Sequence, residues 1–184
     1  MNADLYYAAR RPILAKALNG IEPDGWPSRA MLVFAGADAV GSRPERVVAL
    51  ATALELLWVA RFAEGDAADR CNGGRLGLLA LAFERLGQAA REDRTRAVFW
   101  AEAIAAVAHA VRPEAGSEEM SALAARLGAR VAGGGEVEDM ALANYGRAVA
   151  AGTNVDEAFA AIGEFDVAAE PLRGLARRLC AAAI

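Results

Sequence analysis

The sequence predicts an all-α protein folded as one helical bundle. Three observations carry that expectation. Alanine dominates the composition, and alanine has the highest helix propensity because it loses no side-chain entropy in a helix. Apolar residues recur at three- and four-residue spacing, as at Val47, Leu50, Ala51, Leu54, Leu57, Trp58 and Phe62, while alternating Val/Ile/Thr/Tyr runs are nearly absent. The breaks between apolar segments are short, which suggests antiparallel neighbours in a single bundle. A chain of 184 residues with 55% hydrophobic and 24% charged residues has room for one core. We therefore expect one domain over residues 1–184, with residues 1–25 as an N-terminal helix and loop.

Eight or nine helices are expected. The first runs from Asp4 to Leu18 and stops at Asn19-Gly20. A loop rich in Pro and Gly covers Ile21 to Pro27, after which Ser28 is placed to cap a helix reaching about Val40, with Gly41 as its stop. Pro44 suits the first turn of the longest helix, expected from Arg43 to about Asp69. Cys71-Asn-Gly-Gly74 forms a tight break. Helices follow over Leu76 to Ala90, Thr95 to Val111 and Glu118 to Val131, with Pro113 and Gly116 before the third. Gly133-Gly-Gly135 is a joint ahead of Glu136 to Ala151. Gly152-Thr-Asn154 precedes short helices near Val155 to Ile162 and Val167 to Ala183.

Charge excludes some functions. The net charge is −4 and no basic stripe exists, so nucleic acid is not an expected partner. Apolar runs such as Ala103 to Val111 are far shorter than the ~20 residues of a membrane span. No apolar h-region follows the N-terminus, and Cys71 and Cys180 stand alone without metal-type spacing, so a cytoplasmic protein with reduced thiols is expected. His109, the only histidine, lies on an Ala/Val-rich face and reads as a packed core or interface residue. Trp58, Phe62, Phe83, Phe99 and Trp100 are spaced as core residues.

Three segments, in order, resemble the trans-polyprenyl diphosphate synthases. From Arg29 to Leu57 the chain carries Gly41-Ser-Arg-Pro-Glu-Arg46 before an apolar helix, where that family has Gly-Lys-Arg-x-Arg-Pro; Ser42 stands for the lysine. Next, Glu55-Leu-Leu-Trp58 and Glu64-Gly65-Asp66-Ala-Ala-Asp69 stand where the family has Glu-Leu-x-His and His-Asp-Asp-x-x-Asp. Two motif aspartates are kept and the leading one is Gly65. Finally, Leu127-Gly-Ala, the glycine joint, an acidic helix start and Tyr145-Gly-Arg-Ala-Val149 match the family's spacing. Asn154-Val-Asp156-Glu157-Ala-Phe-Ala160 then stands for Gln-x-x-Asp-Asp-x-x-Asp, with Ala160 at the last acid. The loop after the first acidic motif is short, and the family's Lys-Thr-Gly is replaced near Gly116-Ser117-Glu118.

The resemblance implies an isoprenoid-synthase bundle, shortened, in which magnesium bridges an allylic diphosphate to carboxylates on two helices. The ligands would be Asp66, Asp69, Asp156 and Glu157, and the diphosphate would meet Arg43, Arg46 and Arg70, with Arg75 nearby. Magnesium takes oxygen ligands, and stabilising the departing charge is the main catalytic task. Each missing charge-assisted contact is worth roughly 1.5–3 kcal/mol, about one to two orders of magnitude in rate. The expected function is thus a non-catalytic or regulatory subunit, a homodimer or a heteromer with an active synthase, with magnesium needed only in an active form. The rivals are an active magnesium-dependent prenyltransferase and an unrelated helical interaction protein. Structural readings of the same residues stay open: Asp156 and Glu157 also suit a helix start capped by Asn154 or Thr153, and Arg43 and Arg46 also suit a solvated surface. The faces around Leu76 to Phe83 and Phe99 to His109 are the candidate interface.

Overall fold

A computed structural model describes residues 2–18, 21, 26–62, 74–112, 114–152 and 154–181. The described residues hold nine α-helices and no strand: α1 Ala3–Leu18, α2 Ser28–Ala39, α3 Val48–Phe62, α4 Gly74–Glu92, α5 Ala97–Ala110, α6 Ser117–Ala132, α7 Glu136–Ala151, α8 Val155–Ala161 and α9 Glu170–Ala181. Among them, none is long and apolar enough to cross a membrane.

Helix α2 is the axis of the bundle. Every residue from Ser28 to Ala37 is buried, so it has no solvent face. It packs against α6 on one side and α3 on the other, with α9 also against it. Outward from these lie α4 beside α3 and α7 beside α6, and α8 closes on α7 and α9. The core that results contains Met31, Phe34, Leu50, Leu54, Leu57, Leu78, Leu86, Met120 and Tyr145, all fully or almost fully buried. Each such side chain contributes roughly 1.5–3 kcal/mol of burial.

Small residues set the helix spacing. A Cβ on Gly36 of α2 would fall 2.2 Å from the Ala125 carbonyl oxygen of α6, and one on Gly128 of α6 would fall 2.1 Å from the Val33 oxygen of α2. Gly146 lets α7 approach Ser121 of α6 in the same way, with 2.5 Å to its carbonyl oxygen. The two backbones meet directly, which is only possible without side chains between them.

Polar side chains tie the outer helices on. The Tyr6 hydroxyl and Arg10 Nη2 of α1 both donate to Asp38 Oδ2, each at 2.6 Å. Asp38 is an acid near the C-terminal end of α2, where the helix dipole disfavours it; the arginine offsets that cost. At the α4–α5 elbow, Asp93 accepts from Arg96 Nε and Trp100 Nε1, while Arg96 donates to the carbonyls of Arg130 and Val131 at 2.8 Å each. Arg96 thereby satisfies carbonyls that the end of α6 leaves without helical partners. Arg126 of α6 and Asp139 of α7 form a two-pronged ion pair at 3.0 and 2.7 Å.

Several boundaries differ from the sequence expectation. Pro44 opens a separate 3₁₀ turn, Pro44–Arg46, and α3 begins only at Val48. Residues 63–73, which would complete the expected long helix and hold the Cys71 to Gly73 break, lie outside the described residues. Ser28 is the first residue of α2 rather than its cap. Glu136–Ala151 and the start of α8 at Val155 fall where expected, because Gly133 and Gly152 take left-handed φ of +106° and +67° that stop the preceding helices.

Candidate functional site

The first acidic segment of the expected site follows α3 in sequence, and Glu55 and Trp58 of that helix belong to the matched stretch. The N-terminus of α2 abuts α3, with Ala30 donating its backbone N–H to Glu55 Oε2 at 2.9 Å. Pro27 precedes α2 and offers no side-chain cap. Glu55 does that work from another helix, placing a carboxylate where the dipole of α2 is positive. Glu55 is 2% exposed, and Arg29 beside it is 9% exposed.

Trp58 follows Glu55 by one turn on α3. The central carbon of the Arg29 guanidinium lies over the Trp58 ring, 3.3 Å from its centre. Arg29 Nη1 donates to Ser28 Oγ at 2.7 Å, and its buried Nε–H has no acceptor among the described residues. Burial pushes the Glu55 carboxyl up to about 7, opposed by the Ala30 N–H and the Arg29 charge. Burial also pulls the Arg29 guanidinium down to about 10, opposed by Glu55. Trp58 is only partly buried. The cluster is an acid, a cation and an aromatic face that answer one another.

The sequence-derived candidates fall in different places. Asp66, Asp69 and Arg70 lie outside the described residues, as do Glu64 and Cys71. Arg43 and Arg46 are exposed and precede α3, whereas the acid pair follows it. The 15 residues of α3 separate those two ends by about 21 Å. Arg46 lines a cleft of about 320 Å³ with Glu45, Glu92, Asp93, Arg96 and Trp100 at the α4–α5 elbow. Asp156 and Glu157 are exposed in the first turn of α8. Asn154 caps that helix, its Oδ1 accepting the Asp156 N–H at 2.8 Å, which is the structural reading left open for these acids. Arg75 is exposed at the start of α4.

The described residues contain no group of three His, Cys, Asp or Glu side chains that could hold a metal ion. The described cavities lie at the periphery: between α1 and α9, beside α1 near Pro27, between α5, α6 and α7, and at the α4–α5 elbow. None of these four joins the end of α3 to α8. His109 is exposed rather than packed in the core. Trp100 is buried as expected, and Trp58, Phe83 and Phe99 pack partly buried against the core; the side chain of Phe62 lies outside the described residues.

Sequence reasoning missed Arg29. The guanidinium that packs on Trp58 of α3 comes from the first turn of α2. The available signal was the pairing of a lone buried-helix arginine with Glu55, an acid inside an otherwise apolar helix.

The fold has close relatives among solved structures. Over 98% of this chain and 99% of the other, it superposes with a TM-score of 0.80 on a candidate farnesyl-diphosphate synthase from Marinomonas sp. MED121, at 16% identity. An FPP/GFPP synthase from Zymomonas mobilis gives a TM-score of 0.72 at 17% identity, over 96% of this chain and 94% of that one. A deletion mutant of the mint heterotetrameric geranyl pyrophosphate synthase gives 0.63 at 19% identity, over 99% and 98%. No family model and no curated protein matches the sequence. The chain therefore has the all-α fold of the trans-polyprenyl diphosphate synthases.

Proposed function

We propose that this chain is a non-catalytic prenyl-synthase-like protein that acts in an assembly, either as two copies or beside an active synthase. The observation that carries the reading is the condition of Arg29. This cation of α2 is 9% exposed, packed over the Trp58 ring and close to the Glu55 charge. Ionising an allylic diphosphate requires positive charge and metal aimed at the leaving oxygen atoms. Here Arg43 and Arg46 stand at the far end of α3, Asp156 and Glu157 are exposed at the start of α8, and Ser42, Gly65 and Ala160 occupy positions where the resembling family carries a lysine and two acids.

Assembly is supported by the apolar side chains left outside. Leu76 on α4 is 79% exposed and Val98 on α5 is 74% exposed. The mint neighbour is described as heterotetrameric, which makes a heteromer a natural alternative to a homodimer. A cytoplasmic setting and an isoprenoid diphosphate as the only expected small ligand belong to the same reading. A chance resemblance in an unrelated helical protein is disfavoured by superposition over nearly the whole chain.

The test is direct. The purified chain is incubated with magnesium, isopentenyl diphosphate and allylic diphosphates of several lengths, and its mass in solution is read by light scattering. The proposal expects no elongated product and a species larger than a monomer, or co-elution with an added active synthase. Elongated product would install the active magnesium-dependent prenyltransferase instead, with Asp66, Asp69, Asp156 and Glu157 as the residues to hold the metal and Arg70 near the diphosphate. A strict monomer without turnover, ignored by active synthases, would overturn the assembly role.

A further inference from the structure

We propose that α5 pairs antiparallel with α5 of a second copy about a two-fold axis near Ala105, with Glu102 of each copy opposite His109 of the other. This pairing rests on the assembly reading above, to which it adds a surface and a register.

Helix α5 carries two apolar stripes. Trp100, Ala103, Val107 and Ala110 follow one another at steps of three, four and three residues, and all four are buried on the side toward the bundle. Val98, Ala101, Ala105 and Ala108 repeat the same steps on the opposite side, and all four are exposed. That spacing is the seam of a helix that packs along another helix. Only Glu102 and His109 among the 14 residues of α5 titrate. A helix apolar on every side is ordinarily buried, yet this one is open along a whole stripe. Its small side chains let a partner helix come close.

The two polar residues select the partner and its direction. Glu102 and His109 are both exposed. Seven residues place them about 20° apart around the helix, on one edge of the open stripe. Neither side chain forms a hydrogen bond or ion pair among the described residues. Glu102 shares a cleft of about 190 Å³ with Arg126, Arg130 and Asp139. Arg126 is paired to Asp139, and Arg130 stacks over Phe99. A two-fold axis crossing α5 between Ala105 and Ala106 runs the second helix antiparallel and keeps that edge on the same side. Glu102 then meets His109 of the second copy, twice over. A parallel two-fold pair sets Glu102 against Glu102 and is disfavoured. A helix of 14 residues is about 21 Å long, which gives less contact than the roughly 800 Å² per partner of a stable dimer. The expected dissociation constant is therefore micromolar, about 1–100 μM.

The experiment is sedimentation equilibrium of the untagged full chain in low salt, with a helical melt recorded for every variant. Wild type, Glu102→Lys, His109→Glu, the exchange Glu102→Lys/His109→Glu and Ala105→Arg are compared. Glu102→Lys removes two attractive pairs per dimer, and His109→Glu sets acid against acid twice. Expected are a wild-type dimer, a dissociation constant weaker by roughly fivefold or more for either single change, and recovery to within about threefold of wild type in the exchange. Ala105→Arg, beside the axis, should leave only monomer. A wild-type monomer at about 100 μM would overturn the pairing. Single changes without effect would do the same, as would an exchange no tighter than the weaker single variant. Should a variant unfold, the wild-type chain decides by nuclear magnetic resonance, because His109 is the only histidine. Imidazole signals that shift on dilution support the pairing, and signals indifferent to concentration overturn it. The two readings fail separately. Elongation of isoprenoid diphosphates by wild type removes the non-catalytic function and leaves the α5 pairing, whereas a wild-type dimer indifferent to changes on α5 removes the pairing and keeps the assembly.

Discussion

Replacing Gly128 with alanine should destabilise the bundle sharply, although alanine is the better helix former. The added Cβ would sit 2.1 Å from the Val33 oxygen and 2.9 Å from both its carbonyl carbon and its Cα. Ordinary contacts between such atoms lie near 3.5 Å, so α2 and α6 must part by about 1 Å. The opposing atoms are backbone of a fully buried helix and cannot swing aside. Overpacking a tight core costs roughly 1–3 kcal/mol, and a rigid backbone opponent puts this case at the upper end or beyond. The gain in helix propensity returns about 1 kcal/mol. The net loss is then about 2 kcal/mol, or a fall in melting temperature of roughly 4–8 °C for a chain of this length. Gly87→Ala is the matched control, because its Cβ would meet only the flexible tip of Arg91 at 3.7 Å. That change should stabilise by about 0.5–1 kcal/mol. Urea denaturation of both variants decides it: a neutral or stabilised Gly128→Ala would refute the claim that backbone contact sets the α2–α6 spacing.

Other outcomes follow from the same structure. Because burial raises the Glu55 carboxyl above its unfolded value, the folded chain holds more protons between about pH 4.5 and 7, and stability should fall as pH rises through that window. The loss from this group is up to about 3 kcal/mol, and Glu55→Gln should flatten the slope of urea midpoint against pH. Arg96→Ala removes the donors to the end of α6 and to Asp93, and should lower stability by about 2 kcal/mol in a thermal melt. Asp166 holds φ +44° and ψ −129°, a conformation that favours glycine, so Asp166→Gly should raise the urea midpoint by an amount equivalent to about 1 kcal/mol. Leu76→Glu combined with Val98→Glu should leave the melt almost unchanged while converting any assembled species to monomer in light scattering.

Much of the fold is legible along the chain because glycine marks it. The expected Glu136 to Ala151 helix is observed with those bounds, since a left-handed glycine terminates each side of the local pattern. The start of α3 is less legible: Pro44 serves a 3₁₀ turn as well as an α-helical first turn, and nothing local distinguishes the two. The site is harder still. Glu55 reads as a family match, but its bond to Ala30 spans 25 residues and is a product of packing, invisible to periodicity. Arg43 and Arg46 attract attention because they follow a glycine in a familiar pattern; both are exposed ahead of α3, and the acid pair that would face them lies outside the described residues. Arg29 escapes notice because an arginine next to a serine at a helix start ordinarily faces water.

A rod that is wetted nowhere has no comfortable intermediate during folding. Until its neighbours close, α2 exposes Met31, Leu32, Val33 and Phe34 in sequence, and its first turn lacks the carboxylate supplied by α3. Its backbone amides should therefore exchange with deuterium only when the whole chain opens. Any lesion that loosens its surroundings would release the stickiest segment of the polypeptide, so damage to this protein should register as aggregation before loss of helix.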